Sequence, residues 1–200
     1  MEKTLNLHVI IGSTRQNRFS EKPAHYVFDE LQKQEGIEAE LVDLRDWPLP
    51  FFDEPVSPSA NKGNYSNELA KKWAAKVGEA DGFIIVTPEY NHGYPAVLKN
   101  ALDWVFPEWK GKPVGFVSYG NAGGARSVEQ LRQVVIELYM HPIRNAIHLP
   151  SEIYRAVLNE TVPVNPELFK PLRESPAGDR LQTLFDELIG LAQSLKAART

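Results

Sequence analysis

The stretch that decides the fold is DGFIIVTPEYNHGYPAVLKNALDW, residues 81–104. It opens on the apolar run GFIIV, which has the length of a buried strand, and it closes on AVLKNALDW, whose apolar positions recur at helical spacing. Between the two lie prolines, tyrosines, a carboxylate, an asparagine, a histidine and a glycine. So many planar polar groups at the end of a strand predict a surface that contacts a ligand.

The same alternation of strand and helix extends outward in both directions. Further strands are predicted at residues 5–11, 37–44, 113–120 and 143–150. Helices are predicted through 24–31, after an N-cap at Ser66 or Asn67, over 95–104 and 124–140, and over 179–198. Strict alternation predicts a parallel sheet with helices on both faces, and five strands favour an open doubly wound sheet over a barrel.

Two segments interrupt this pattern. Residues 45–66 form an irregular loop, because four prolines and a glycine within residues 47–66 rule out a regular element. Residues 151–180 form a segment that contains prolines and precedes the last helix. We expect a single domain over residues 1–200, since this length suits one core.

The composition narrows the class of protein. A net charge of −4 with interspersed signs offers no basic face for nucleic acid, and no apolar run approaches membrane-spanning length. Cysteine is absent, which excludes disulfides and thiol nucleophiles and fits a cytoplasmic protein. The histidines show neither HxH nor HExxH spacing and no array of carboxylates near them, so no metal site is predicted.

The loop after the first strand, GSTRQNRFSEK, has the composition of an anion site. In doubly wound sheets ligands lie beyond the carboxyl ends of the strands, and helix N-termini attract anions. Ser13, Thr14 and Ser20 offer hydroxyl groups, and Arg15 and Arg18 offer positive charge to a phosphate monoester. The loop lacks the Walker and GxGxxG patterns. The alternative is that a serine only caps the helix and the arginines are solvated.

The loop after the third strand is stiffened by Pro88 and Pro95, as a flat ligand requires. Gly93 permits close approach of the backbone or a positive φ. The candidate ligand contacts are Pro88, Glu89, Tyr90, Asn91 and Gly93. The alternative is that the tyrosines pack, Asn91 makes a turn and Glu89 is solvated.

The loop after the fourth strand, YGNAGGARS, adds a third candidate surface. Its glycines permit a close approach of the main chain, and its candidate contacts are Ser118, Tyr119, Gly120, Gly123 and Gly124. Arg126, in the first helical turn, is unfavourable with the helix dipole unless an anion or a carboxylate lies nearby. The alternative is a flexible loop with a surface arginine.

The motifs GSTRQNR, PEYNHGYPAVLKNALDW and GGARSVEQLRQV, in this order, resemble those of the NADPH-dependent FMN reductase family. The resemblance covers about residues 5–150 and implies a flavodoxin-like sheet of order 2-1-3-4-5 with FMN at its carboxyl edge. It implies that Ser13, Arg15, Arg18 and Ser20 hold the FMN phosphate, that residues 88–91 contact the ribityl chain and the ring edge, and that Gly120, Gly123 and Gly124 contact the far side of the ring. Asn17 stands where the family has glycine, and asparagine tolerates the left-handed region best among the other residues.

The resemblance implies an enzyme that passes reducing equivalents from NADPH or NADH through FMN to a small-molecule acceptor: quinones, azo compounds, metal oxyanions or free flavin. The alternatives are a flavodoxin-type electron carrier that does not oxidise NAD(P)H itself, and a regulatory domain without flavin. An apolar cluster, Trp104, Val105, Phe106, Pro107 and Trp109, predicts a homodimer or homotetramer.

Overall fold

The computed structural model describes residues 4–158, 166–176 and 178–199. The elements, in chain order, are β1 (Leu5–Ile11), α1 (Glu21–Leu31), β2 (Ile37–Asp43), α2 (Pro58–Asn61), α3 (Glu68–Glu79), β3 (Gly82–Pro88), α4 (Ala96–Asp103), β4 (Pro113–Tyr119), α5 (Ala125–Glu137), β5 (His141–His148), α6 (Ser151–Leu158) and α7 (Arg180–Arg199). Two 3₁₀ turns, Leu44–Asp46 and Pro166–Leu172, lie between them.

The five strands form one sheet in the order β2-β1-β3-β4-β5, and every neighbouring pair is parallel. This confirms the predicted flavodoxin-like α/β fold and its strand order. The direction of winding reverses between β1 and β3, so the carboxyl ends of β1, β3 and β4 lie side by side.

The core has two layers, one on each face of the sheet. All residues of β3 and β4 are buried. A central strand covered on both faces reads as a continuous apolar run, which explains GFIIV. Helices α3, α4 and α5 contribute to the core on one face, and α1 and α7 contribute to the core on the other.

Several boundaries differ from the prediction. Strand β5 begins at His141, ahead of the expected residue 143. The segment expected to be irregular contains α2, because Pro58 occupies the first helical turn, where its missing N–H costs nothing. Residues 151–180, predicted only to contain prolines, include α6 and a 3₁₀ turn. Residues 159–165 and 177 of this segment lie outside the described part. The N-cap of α3 is Asn67, whose side chain accepts the N–H groups of Leu69 and Ala70 at 2.9 and 3.1 Å.

Three members of the apolar cluster from which a homodimer or homotetramer was predicted are buried within the chain. Trp104, Val105 and Trp109 are each no more than 1% exposed. The Trp104 indole donates to Pro50 O at 2.7 Å, and the Trp109 indole donates to Leu102 O at 3.2 Å. The expectation that these three residues pack between subunits is therefore wrong, because they belong to the chain's own core. Of the other two members, Phe106 is half-buried and Pro107 is exposed. Within the described residues no helix has both the length and the apolar character needed to cross a membrane.

Candidate functional site

The three predicted loops meet at one edge of the sheet. Gly12 donates its N–H to Val86 O at 2.8 Å, which ties the end of β1 to β3. The hydroxyl oxygens of Ser13 and Tyr90 lie 2.8 Å apart, within hydrogen-bonding distance, and thus join the first loop to the second. Glu89 donates its N–H to Tyr119 O at 2.9 Å and joins the second loop to the third. The loops therefore form one continuous surface.

The two arginines of the first loop have different environments. Arg18 is buried, and its guanidinium pairs with Asp43 and Glu21 and donates to Ser13 O. Partial burial favours a higher pKa for Asp43, but the hydrogen bonds from Arg18 and from the Arg45 N–H outweigh burial and hold that pKa below its ordinary value. The Arg18 guanidinium is thus committed to protein groups.

Arg15, by contrast, is exposed, and within residues 4–158, 166–176 and 178–199 its guanidinium has no ion-pair partner. Asn17, the residue in place of the family's glycine, adopts φ 50°, as the tolerance of asparagine for that region predicts. The turn that presents Arg15 is therefore formed without glycine.

Ser20 occupies the N-cap position of α1 but does not cap it. Its backbone is helical, with φ −55° and ψ −27°, and its side chain accepts no backbone N–H. Its buried Oγ lies beside the Tyr119 hydroxyl without forming a hydrogen bond of ordinary geometry. A buried hydroxyl at the positive end of a helix suits contact with an anion.

Arg45 is a residue of this region that the sequence analysis missed. It donates to Arg15 O at 2.6 Å and to Thr14 O at 3.4 Å, and it pairs with Glu21 at 2.9 Å. Because β2 is the neighbour of β1, the residues that follow β2 lie beside the first loop. The predicted strand order places the residues after β2 beside the first loop, but no local sequence motif identifies Arg45.

A cleft of about 250 Å³ borders this loop on the side of α4. Its lining includes Thr14, Arg45, Trp47, Leu49 and Asn100. The irregular segment that follows β2 therefore forms one wall of the edge at which the loops meet.

Residues 90–93 form a tight turn closed by two backbone hydrogen bonds. Tyr90 N–H donates to Gly93 O at 2.8 Å, and Gly93 N–H donates to Tyr90 O at 3.0 Å. Asn91 and His92 have φ 50° and 70°, which is the signature of a type I′ turn. The amides of Asn91 and His92 are not used to close the turn, and both residues are exposed.

Gly93 serves close approach and does not adopt a positive φ. A Cβ on Gly93 would lie 3.1 Å from Gln130 Oε1, and the Gln130 amide donates to His92 O at 2.8 Å. The predicted close approach at Gly93 is confirmed. The positive φ occurs instead at the two preceding residues, Asn91 and His92.

Glu89 connects the second loop to α5, the helix that follows the third loop. Its side chain is 5% exposed and pairs with Arg126, Nε to Oε1 at 2.6 Å, while the Arg126 N–H donates to Oε2 at 3.2 Å. This is the carboxylate that the position of Arg126 required. The Glu89 side chain therefore caps α5, and it is not solvated.

The third loop requires its glycines. Gly123 and Gly124 have φ 67° and 81°, and a Cβ on Gly124 would lie 2.6 Å from Ser118 Cβ. Ser118 Oγ lies 2.8 Å from both Gly123 O and His148 Nδ1. Burial raises the pKa of Tyr119, so this hydroxyl stays protonated. Ser118 and Tyr119 thus support the loop from inside, and Gly120, at φ 150°, packs against Glu89.

A five-stranded parallel sheet of this order, with three loops joined at its carboxyl edge, defines a flavodoxin-like protein. The profile of the NADPH-dependent FMN reductase family matches residues 5–152. An NAD(P)H-dependent FMN reductase of Schizosaccharomyces pombe is 41% identical over 162 residues, which are 80% of this chain and 81% of that protein. The chain therefore belongs to the NADPH-dependent FMN reductase family.

Two further comparisons agree. A 2-hydroxy-1,4-benzoquinone reductase of Burkholderia is 33% identical over 137 residues, which are 65% of this chain and 69% of that protein. The solved structure of FerB, a flavoenzyme NAD(P)H:(acceptor) oxidoreductase of Paracoccus denitrificans, superposes with a TM-score of 0.67 over 96% of this chain and 98% of its own, at 22% identity. At that identity the second comparison supports the fold.

Proposed function

We propose that this protein is an FMN-dependent oxidoreductase that takes reducing equivalents from NADPH or NADH and passes them to a small-molecule acceptor. The observation that carries the proposal is the joining of the three loops through the Ser13–Tyr90 and Glu89–Tyr119 hydrogen bonds, in a chain of this family. Quinones, azo compounds, metal oxyanions and free flavin are the acceptors that we expect.

The phosphate of FMN is proposed to lie at the N-terminus of α1. Arg15 supplies the charge there, and Ser20 and Thr14 supply hydroxyl groups. Arg18, which the family resemblance placed on the phosphate, is proposed to position the loop, because its guanidinium is already paired with Asp43 and Glu21. Ser13 orients Tyr90 through their shared hydrogen bond.

The ring system is proposed to lie against the second and third loops. In the turn of residues 90–93, the amides of Asn91 and His92 do not close the turn and both residues are exposed, so these amides are proposed to donate to the polar edge of the ring. Gly120, Gly123 and Gly124 allow a flat group to approach the main chain. Pro88 accepts a hydrogen bond from Ser127 at 2.8 Å and holds the end of β3 in place.

When it is bound, FMN supplies the hydride-transfer chemistry, and the chain supplies position and electrostatics. The backbone N–H groups of Asn91 and His92, which do not close the turn, would donate to negative charge at the ring edge, as donors of an oxyanion hole do. The two hydrogen bonds that close the turn would hold these donors in place. No side chain needs to act as a nucleophile.

The absorption spectrum of the purified protein tests this function. We expect a yellow protein whose flavin band is bleached by NADPH under anaerobic conditions and restored by a quinone. A flavodoxin-type carrier would show the band but would not be reduced by NADPH at a useful rate. A regulatory domain would show no band after incubation with FMN and desalting, and that result would remove the proposal.

A homodimer or homotetramer remains part of the proposal on different grounds from the internal tryptophan cluster. Phe51 is 82% exposed, and Ile136 and Tyr139 are 60% and 59% exposed. Large apolar side chains at such exposure suit a contact between subunits. Light scattering coupled to size exclusion measures the assembly directly. A cytoplasmic location and a single domain over residues 1–200 are likewise proposed, and cell fractionation and limited proteolysis test them.

A further inference from the structure

Three metal-ligating side chains converge on the face of the sheet that α3 covers. His8 on β1 is the register partner of Glu40 on β2, so both side chains point to the same face. Glu79 reaches them from the end of α3. One ligand atom from each of the three residues lies within 4.8 Å of the other two.

His8 is the member of this group that points to a ligand. The residue is 1% exposed, and its Nε2 is buried without a hydrogen-bond partner among the described residues. The nearest carboxylate oxygen, Glu40 Oε2, lies 3.4 Å away but does not meet hydrogen-bond geometry. Buried polar atoms are nearly always paired, so an unpaired ring nitrogen that faces two carboxylates requires an explanation.

His8 lies among charged groups of both signs. The carboxylates of Glu40 and Glu79 and the ammonium groups of Lys76 and Lys112 act on its ring, which is buried away from water.

Lys76 occupies the position of a cation between the two carboxylates. Its Nζ lies 2.9 and 3.1 Å from the Glu40 oxygens and 2.6 Å from Glu79 Oε2. An ammonium group has only donors, so Lys76 satisfies the two carboxylates, but within the described residues neither it nor any other group makes a hydrogen bond to His8 Nε2. A divalent ion in its place would satisfy all three residues.

We propose that His8, Glu40 and Glu79 form a binding site for Zn²⁺ or a similar divalent transition metal, and that Lys76 occupies the carboxylates when the metal is absent. One imidazole nitrogen and two carboxylate oxygens are ligands that Zn²⁺ accepts, with water in the fourth position. Zn²⁺ holds its ligands at about 2.0 to 2.2 Å, so the group must contract slightly. Glu40 and Glu79 side chains, 40% and 50% exposed, have the freedom to do so and leave a path from solvent.

This site is separate from the proposed flavin site. His8 lies in the interior of β1, and the residues Val9–Ile11 stand between it and the loop at the carboxyl edge. The metal would tie α3 to β1 and β2. Metal binding at this site can therefore be tested independently of flavin binding.

Titration calorimetry with Zn²⁺ on the chelator-treated, flavin-loaded protein tests the proposal. We expect one ion per chain, with the dissociation constant tightened by about tenfold or more in Lys76→Met, because that substitution removes the competing ammonium. Glu79→Gln, an exposed change that leaves the fold intact, should weaken binding by about tenfold or more, as the loss of a ligand does. The matched control is Lys71→Met, which breaks the exposed Lys71–Glu68 pair on the same helix and should leave the affinity unchanged.

The ring of His8 provides a direct readout in the wild-type protein. Its carbon-bound proton resonances should shift on addition of Zn²⁺ and return on addition of chelator. Zn²⁺ that binds without moving these resonances, or that binds Lys76→Met no more tightly than the wild type, would place the ion elsewhere and overturn the proposal. Absence of any binding at micromolar metal would do the same.

Discussion

Among single residues, the two arginines of the first loop have different environments. Arg15 is exposed and unpaired within the described residues, whereas Arg18 is buried between Asp43 and Glu21. The sequence correctly predicts that this loop follows β1, but its pattern predicts that both arginines bind the phosphate. It missed the difference because Asp43 lies at the end of another strand, and no local pattern links it to Arg18.

This contrast predicts different outcomes for two substitutions. Arg15→Ala should weaken FMN binding strongly and leave the unfolding midpoint almost unchanged, because its exposed guanidinium has no ion pair to lose within the described residues. Arg18→Ala should lower the free energy of unfolding by about 3 to 5 kcal/mol, because it removes the guanidinium from Asp43 and leaves that carboxylate with the Arg45 N–H alone among the bonds described above. Flavin fluorescence titration and urea unfolding separate the two. Equal loss of stability in both variants would contradict the assignment.

His8 gives a prediction for the dependence of stability on pH. Its pKa is about 4 in the folded protein and 6.5 in the unfolded chain, so only the unfolded chain binds a proton between these values. Stability from this residue is fully present above pH 6.5 and is lost as the pH falls toward 4, by at most about 3 kcal/mol.

Urea unfolding in metal-free buffer at pH 7.0 and 4.5 measures the effect. His8→Gln should be less sensitive to acid than the wild type over this interval, and substitution of the exposed His25 by Gln serves as the control. If His8→Gln loses stability with falling pH as steeply as the wild type, then burial of the neutral ring is not the cause.

At the scale of elements, the strand-end turns are specified by backbone conformation more than by side chains. Asn91 and His92 adopt the left-handed region, and so do Gly123 and Gly124. The sequence predicts that these loops contact a ligand, because proline and glycine residues are concentrated in them. It did not predict which residue carries the positive φ, since that depends on the hydrogen bonds that close each turn.

Gly124 is the glycine whose replacement should cost most. In Gly124→Ala the new Cβ would lie 2.6 Å from Ser118 Cβ and 2.7 Å from Tyr119 N, in addition to the strain of φ 81°. We expect a loss of about 2 to 4 kcal/mol in the free energy of unfolding, together with weaker flavin binding. Thermal unfolding and flavin titration measure both.

The matched control for this substitution is Gly36→Ala. Gly36 has a similar φ of 72° but no atom within 4 Å of its Cβ position, so it isolates backbone strain from steric clash. Its loss should be near 1 kcal/mol. A loss equal to that of Gly124→Ala would show that strain alone, without the contact to Ser118, determines the cost.

At the scale of the whole molecule, helix α7 fastens the end of the chain to the sheet that bears the site. Lys196 and Arg199 pair with Asp81 at 2.6 and 3.2 Å, and Asp81 also accepts the N–H of Asn6 at 3.0 Å. The fold could be predicted from sequence because its central strands are largely apolar and buried and because strands alternate with helices along the chain. The metal-ligating group could not, because its members come from β1, β2 and α3 and meet only in the folded chain.

Leu184 tests whether α7 and the site unfold together. Leu184 is fully buried and faces Gly115 on β4, so Leu184→Ala should cost about 2 to 5 kcal/mol. We expect far-ultraviolet circular dichroism and flavin fluorescence to report one shared, lowered midpoint. Release of flavin well below the loss of helical signal would mean that the site edge opens separately from the core.

The pairing of Glu89 with Arg126 makes the crevice electrically one-sided. The carboxylate already neutralises the positive end of α5, whereas the corresponding end of α1 carries no cap from Ser20. The first turn of α1 contains Glu21, whose carboxylate is already paired with Arg18 and Arg45, so the exposed Arg15 supplies the unpaired positive charge at that edge within the described residues. We therefore expect a nucleotide to enter in a single orientation, with its charged tail toward the exposed Arg15 of the first loop and its uncharged rings toward α5.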